Sequence, residues 1–144
     1  MISNARRDQK LNVPSTLSEV RPTTDRVLKF FDELKLPETD LFDIRLCFEE
    51  SLINAIKYGN REKREIPVLV QIAYNDREIF IAVEDRGEGF NPEKVKDPTS
   101  CENIEAFSGR GVYLIRHLMD RVSYVGNGNR VEMVKVFKKQ ASVK

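Results

Sequence analysis

The chain has 144 residues, of which 40% are hydrophobic and 33% charged, and its 24 Lys and Arg against 23 Asp and Glu leave a net charge of +1. Such a length and apolar content suit one ordinary domain with a sizeable core, whereas the balanced charge offers no bulk attraction to nucleic acid. Every apolar run is far shorter than the roughly 20 residues that span a bilayer, and Met1 to Lys10 is polar and charged rather than signal-like, so a cytoplasmic protein without a membrane partner is expected. Cys47 and Cys101 lie far apart with no Cys/His cluster around them, which argues against a disulfide or a zinc site.

In chain order, Met1 to Lys10 has no apolar period and is expected to be a loose arm. Leu11 to Val13 follows as a short edge strand ending at Pro14. Ser18 or Thr23/Thr24 can cap a helix in which Val27, Phe30, Phe31 and Leu34 recur at helical spacing until Pro37 stops it. A second helix is predicted from about Asp40 to Tyr58, with Gly59 supplying the left-handed turn past its end. Ile66 to Tyr74 and Glu78 to Glu84 alternate apolar and other residues on either side of Asn75-Asp76, which predicts a β-hairpin. Phe90 to Ser108 has no strong period and is longer than most connections, a pattern expected of a lid. Gly109-Arg110-Gly111 opens a helix with Val112, Ile115, Leu118 and Met119 as its buried stripe. Val122 to Val125 and Val131 to Phe137 form a closing hairpin, and Lys138 to Lys144 a loose basic tail. With no βαβ alternation, this order predicts a single α+β domain: a mostly antiparallel sheet with helices packed on one face.

Three stretches carry candidate chemistry. At about 100° per residue on an α-helix, Glu50, Asn54 and Lys57 fall within roughly 60° of one another, opposite an apolar side of Leu41, Ile44, Phe48, Leu52 and Ala55. Asn54 offers a neutral oxygen suited to a hard cation, and Glu50 one turn earlier can take a proton. Taken singly, each could equally belong to a solvated helix face. Asp85-Arg86-Gly87-Glu88-Gly89 ends a strand; its glycines let a ligand approach the backbone and its ionised Asp only accepts hydrogen bonds, so an exocyclic amine is a suitable partner. Alone, that motif is also what a tight turn looks like. Gly109-Arg110-Gly111 at a helix start presents backbone N–H groups and the positive end of a helix dipole, which suit phosphate.

Together, Glu50-Ser51-Leu52-Ile53-Asn54-Ala55-Ile56, Asp85-Arg86-Gly87-Glu88-Gly89-Phe90 and Ser108-Gly109-Arg110-Gly111, in this order and separated by a lid-length connection, resemble the GHKL ATPase/kinase superfamily. They are most similar to its bacterial anti-sigma factor/serine-protein kinase branch, over about Leu11 to Lys138. The resemblance implies the Bergerat-type two-layer ATP-binding sandwich, ATP or ADP with Mg2+ as cofactors, and ATP-dependent phosphorylation of a protein serine. It implies that Asp85 binds the adenine amine, that Asn54 coordinates magnesium, and that Glu50 is the general base. Gly87, Gly89, Gly109, Arg110 and Gly111 would border the nucleotide and its phosphates, and Lys57 could reach a phosphate. The implied partners are a sigma factor, held from RNA polymerase, and a STAS-type anti-anti-sigma antagonist, with the chain acting as a homodimer. A nucleotide-binding partner-switching module without phosphotransfer is the alternative, and the antagonist could serve a pathway other than a sigma factor's.

Two positions depart from the pattern. Relatives often carry His after the helix's Ala-Ile, where Lys57 and Tyr58 stand here, and a late Gly-Thr that adds an adenine contact is replaced by Gly128-Asn129. His117, the sole histidine, lies on the third helix outside any phospho-acceptor box and is expected to be a surface or packing residue.

Overall fold

The computed structural model describes residues 2–87, 109–127 and 129–137. Gly89, the connection from Phe90 to Ser108, Cys101, Gly128 and the tail from Lys138 to Lys144 lie outside the described residues. Five strands, Arg7–Val13 (β1), Val68–Tyr74 (β2), Glu78–Glu84 (β3), Arg121–Val125 (β4) and Arg130–Val136 (β5), form one sheet in the order β1-β2-β3-β5-β4. Every neighbouring pair is antiparallel. Helices Val20–Phe30 (α1), Glu38–Asn54 (α2) and Gly109–Leu118 (α3) pack on one face, as the α+β sandwich expected from the element order requires.

Strand alternation decides what faces those helices. Val68, Val70, Ile72 and Tyr74 of β2, Ile79, Ile81 and Val83 of β3, and Val131 and Met133 of β5 meet Val27, Phe31, Ile44, Phe48, Leu52 and Ile115 in the main core. Phe30, Phe31 and Tyr74 meet edge to face with centroids 5.3–6.1 Å apart, a geometry worth about 0.5–1.5 kcal/mol per pair beyond area. Between β2 and β3, the Asn75 Oδ1 accepts the backbone N–H groups of Arg77 and Glu78, both at 2.8 Å, which fixes the predicted turn.

The amino-terminal arm differs from expectation. Arg7 to Lys10 belong to β1 and pair with Tyr74 to Gln71, and the Arg6 N–H donates to the Tyr74 carbonyl at 2.8 Å. Ile2 is buried and, with Ala5, covers Ala73, Phe80, Ala82 and Val134 on the face of the sheet away from the helices. The expected loose arm is therefore a strand plus a strap, held by long-range pairing that a local apolar period does not register.

Helix boundaries shift for local reasons. A 3-10 turn at Leu17–Glu19 precedes α1, and no side-chain cap closes its start; Thr24 lies inside the helix with its hydroxyl on the Val20 carbonyl. Rather than running to Pro37, α1 ends at Phe30 and a second 3-10 turn, Asp32–Leu34, leads to Lys35 at φ 49°. Neither Ser18, Thr23 nor Thr24 is the cap. The α2 segment is α-helical only to Asn54; Ala55–Gly59 is a π turn, closed by the Asn60 N–H on the Ala55 carbonyl at 2.8 Å. Cys47 is a free, buried thiol, and burial with the nearby Asp43 carboxylate pushes its pKa up to about 12.

Candidate functional site

The π turn aims the end of α2 at the end of β3. Gly59 does not have the left-handed φ expected of a helix stop; that conformation falls two and three residues later, at Arg61 (φ 53°) and Glu62 (φ 57°). Gly59 is required for a different reason: a Cβ there would lie 2.2 Å from the Asp85 Cγ and 2.4 Å from its Oδ2. Gly87 in turn lies against Gly59, since a Cβ on Gly87 would meet the Gly59 carbonyl oxygen at 2.4 Å. Two glycines thus let the strand end and the helix end interlock, and set the end of the helix that carries Glu50 and Asn54 against the Asp85 turn.

Asp85 is held on all sides. Its Oδ1 accepts the Gly87 N–H at 2.7 Å, its own N–H donates to the Asn129 carbonyl at 2.9 Å, and its carbonyl accepts from the Asn129 Nδ2 at 2.9 Å. Burial pushes the carboxyl up to about 6; the Gly87 N–H opposes that rise, and the neighbouring Glu84 adds to it. A half-buried carboxylate with one oxygen committed to the turn keeps lone pairs for a further donor.

The exposed side of α2 contrasts with this corner. Glu50 is half-buried and makes no hydrogen bond or ion pair among the described residues, while the adjacent Glu49 turns toward α1, where the Thr24 hydroxyl lies 3.4 Å from its Oε2. Asn54 is also half-buried, and its Oδ1 is buried with no hydrogen-bond partner among the described residues. A buried carboxamide oxygen normally has a partner, and a lone hard oxygen fits a magnesium ion that completes its shell with water and phosphate. Among the described residues no group of three or more His, Cys, Asp or Glu side chains gathers as an alternative metal cluster. Because Lys57 follows the change of pitch at Ala55, α-helical counting no longer places it; it is exposed, with Nζ 5.6 Å from the centre of the Tyr58 ring.

Gly109, Arg110 and Gly111 begin α3, as expected; Val112 and Ile115 are buried on it, Leu118 is partly buried, and Met119 is buried just past its end. At its other end the Leu118 carbonyl accepts from the Lys135 Nζ at 3.0 Å, and that ammonium also lies 3.4 Å from Asp43, near the start of α2. His117 is exposed and stacks on Tyr113 at 4.5 Å, a surface residue. The sequence reading passed over Asn60 and took Gly59 only as a helix stop. Asn60 is 3% exposed; its Oδ1 accepts the Arg86 N–H at 2.8 Å, and its Nδ2 lies 3.0 Å from the Ser15 Oγ and 3.1 Å from the Ile66 carbonyl. No local pattern marks either role, because both depend on a partner more than 25 residues away.

Comparison with known proteins identifies the family and the fold. Residues 13–135 match the family model described as a histidine kinase-like ATPase domain. The chain is 31% identical over 110 residues to a protein of Staphylococcus epidermidis named serine-protein kinase RsbW, covering 70% of this chain and 69% of that one. It is 28% identical over 134 residues to the anti-sigma F factor of Clostridium kluyveri, covering 89% and 83%. The crystal structure of the RsbU and RsbW domains of Rv1364c from Mycobacterium tuberculosis superposes with a TM-score of 0.59 at 12% identity, across 92% of this chain and about a third (32%) of that one, a likeness of fold.

Proposed function

Since the chain belongs to the histidine kinase-like ATPase domain family, we propose that it binds ATP and ADP in the corner between α2 and the turn after β3 and transfers phosphate to a protein serine. The observation that carries this reading is the contact between Gly59 and Asp85, which joins the helix bearing Glu50 and Asn54 to the carboxylate suited to an adenine amine. In this reading Asp85 accepts the exocyclic amine, and Gly87 and Gly89 would border the nucleotide. The positive end of α3, at Gly109, Arg110 and Gly111, would receive the phosphates, and Lys57 would pair with one of them.

Asn54 would hold magnesium through its unpartnered Oδ1, and the bound ion would neutralise charge on the phosphates. Glu50, free of competing partners among the described residues, takes the proton of the attacking serine hydroxyl. The names of two relatives, serine-protein kinase RsbW and anti-sigma F factor, support phosphorylation of a protein serine and a sigma factor as the protein held. In this reading a small STAS-type antagonist is the phosphate acceptor and the chain works as a homodimer in the cytoplasm.

The test is calorimetry of ADP with and without magnesium, together with phosphate transfer from labelled ATP to candidate antagonists. Wild type should bind in both conditions and more tightly with magnesium, and Asn54→Ala should lose the magnesium-dependent part and the transfer together. Nucleotide affinity that magnesium does not change would defeat the assignment of Asn54. Binding without transfer to any antagonist would leave a partner-switching module.

A further inference from the structure

The peptide between Asp85 and Arg86 is gripped at both ends by asparagine side chains from different parts of the chain. On one side the Asn129 Nδ2, from the turn between β4 and β5, donates to the Asp85 carbonyl at 2.9 Å. On the other the Arg86 N–H donates at 2.8 Å to the Oδ1 of Asn60, the residue after the π turn. Those partners settle which end of each carboxamide is oxygen, since a carbonyl must receive a donor and an N–H must meet an acceptor. Asn60 is itself fixed: its Nδ2 lies 3.0 Å from the Ser15 Oγ, 3.1 Å from the Ile66 carbonyl and 3.3 Å from the Pro67 carbonyl, and Ser15 also donates to Ile66. With the Asp85 N–H on the Asn129 carbonyl, the N–H and carbonyl of Asp85 and the N–H of Arg86 are all anchored.

We propose that Asn60 and Asn129 are positioning residues for the base-reading carboxylate: by locking the 85–86 peptide, they fix the direction in which Asp85 presents its free oxygen to the exocyclic amine of a 6-aminopurine. This inference rests on the adenine reading of Asp85 above. Neither asparagine need touch the nucleotide. A carboxylate on an exposed turn would swing, and a directional hydrogen bond would lose strength as it did so. At Asn129 the same turn that brings the β5 end beside Asp85 uses its carboxamide on the protein main chain.

A purely structural role and a positioning role differ in what they do to selectivity. A variant that is only less stable loses active protein for every nucleotide alike, whereas one in which Asp85 swings loses its preference for the amine. The measurement is calorimetry of the full chain with ADP and with purine riboside 5′-diphosphate, which has hydrogen where adenine has its amine, together with thermal unfolding of each variant. Wild type is expected to prefer ADP by roughly tenfold or more, the scale of one hydrogen bond to a charged group. In Asn129→Ala and Asn60→Ala that ratio should fall to about threefold or less, while affinity for the amine-free analogue stays within about twofold. Asn60 is deeply buried, so if Asn60→Ala fails to fold, Asn129→Ala, in a half-buried turn, decides the matter alone. A folded Asn129→Ala that keeps the wild-type ratio overturns the clamp. A ratio near one in the wild type overturns the adenine reading of Asp85, and the clamp with it.

Discussion

The two walls of the candidate site are built on opposite plans. Around Asp85 its own N–H and carbonyl and the N–H groups of Arg86 and Gly87 all have partners, and two glycines close the packing, so this geometry is in place before any ligand arrives. Along α2, Glu50 has no partner among the described residues and the Asn54 Oδ1 is buried without one. Under the proposed function, the difference separates selectivity from chemistry. A wall that reads a base would gain from rigidity, whereas groups that handle a metal ion and a travelling proton would have to keep their lone pairs uncommitted.

The comparison is broken most severely at Glu50. If this wall supplies the base, Glu50→Ala should slow phosphate transfer by roughly 10²–10⁴-fold and leave ADP affinity near wild type, as single-turnover transfer and calorimetry would show. Transfer at the wild-type rate would remove Glu50 from that role, and Glu49, which faces Thr24 of α1, makes a poor substitute.

Gly59→Ala strikes the seam between the walls. An added methyl would lie 2.2 Å from the Asp85 Cγ, so either the carboxylate or the helix end must move. Overpacking of this kind costs about 1–3 kcal/mol. Urea unfolding should show that loss, and ADP binding should weaken with it; unchanged values for both would mean that helix and turn are not in fact locked together.

Asp85→Asn sharpens the contrast by pulling stability and binding in opposite directions. Removing the charged acceptor should weaken ADP by roughly ten- to a hundredfold, the value of a hydrogen bond to a charged group. Burial raises the Asp85 pKa to about 6 from the usual carboxylate value, so the folded state resists its ionisation. That cost is absent below about pH 4, grows as pH rises toward 6, and stays constant above it. The variant without the charge should therefore melt no lower, and by this group's contribution higher, than wild type at pH 7.5 in the absence of nucleotide. A large fall in melting temperature would show that the carboxylate supports the fold instead.

The smallest expected effect is on pH dependence. Because the amine favours the ionised carboxylate, ADP affinity should be fully present above about pH 6 and decline as pH falls through it. Nucleotide phosphates titrate nearby, so the informative quantity is the wild-type profile minus that of Asp85→Asn; coincident profiles would refute the linkage.

Most of the scaffold could be read in the residues themselves. Alternation in Val68 to Tyr74 and Ile79 to Val83 marks the central strands, and the apolar stripes of α2 and α3 mark their buried faces, because both patterns are local. What escaped was what depends on a distant partner. Arg7 to Lys10 look like a solvated arm, yet Arg7 places its guanidinium 4.8 Å from the Phe30 ring centre and the segment completes an edge strand. Asp85 stands out by its motif, whereas Gly59 and Asn60, which shape its surroundings, carry no pattern because a close approach is invisible until both segments are folded. Glu50 and Asn54 could be singled out by spacing within one helix; Lys57 could not be placed that way, because the pitch changes between Asn54 and it.

That change of pitch also bears on how chains of this kind can be lengthened or shortened. A π turn holds one residue more than the α turn it replaces, so the Ala55–Gly59 segment behaves as a one-residue insertion at the end of the helix. Deleting any one of Ile56, Lys57 or Tyr58 would let α pitch resume, turning the helix exit by about 100° and carrying Gly59 away from Asp85 even though both residues remained. Alignments of this segment therefore have to be judged by the phase of the helix exit as well as by matched letters, and a single-residue gap here counts as a change in the site rather than in a loop.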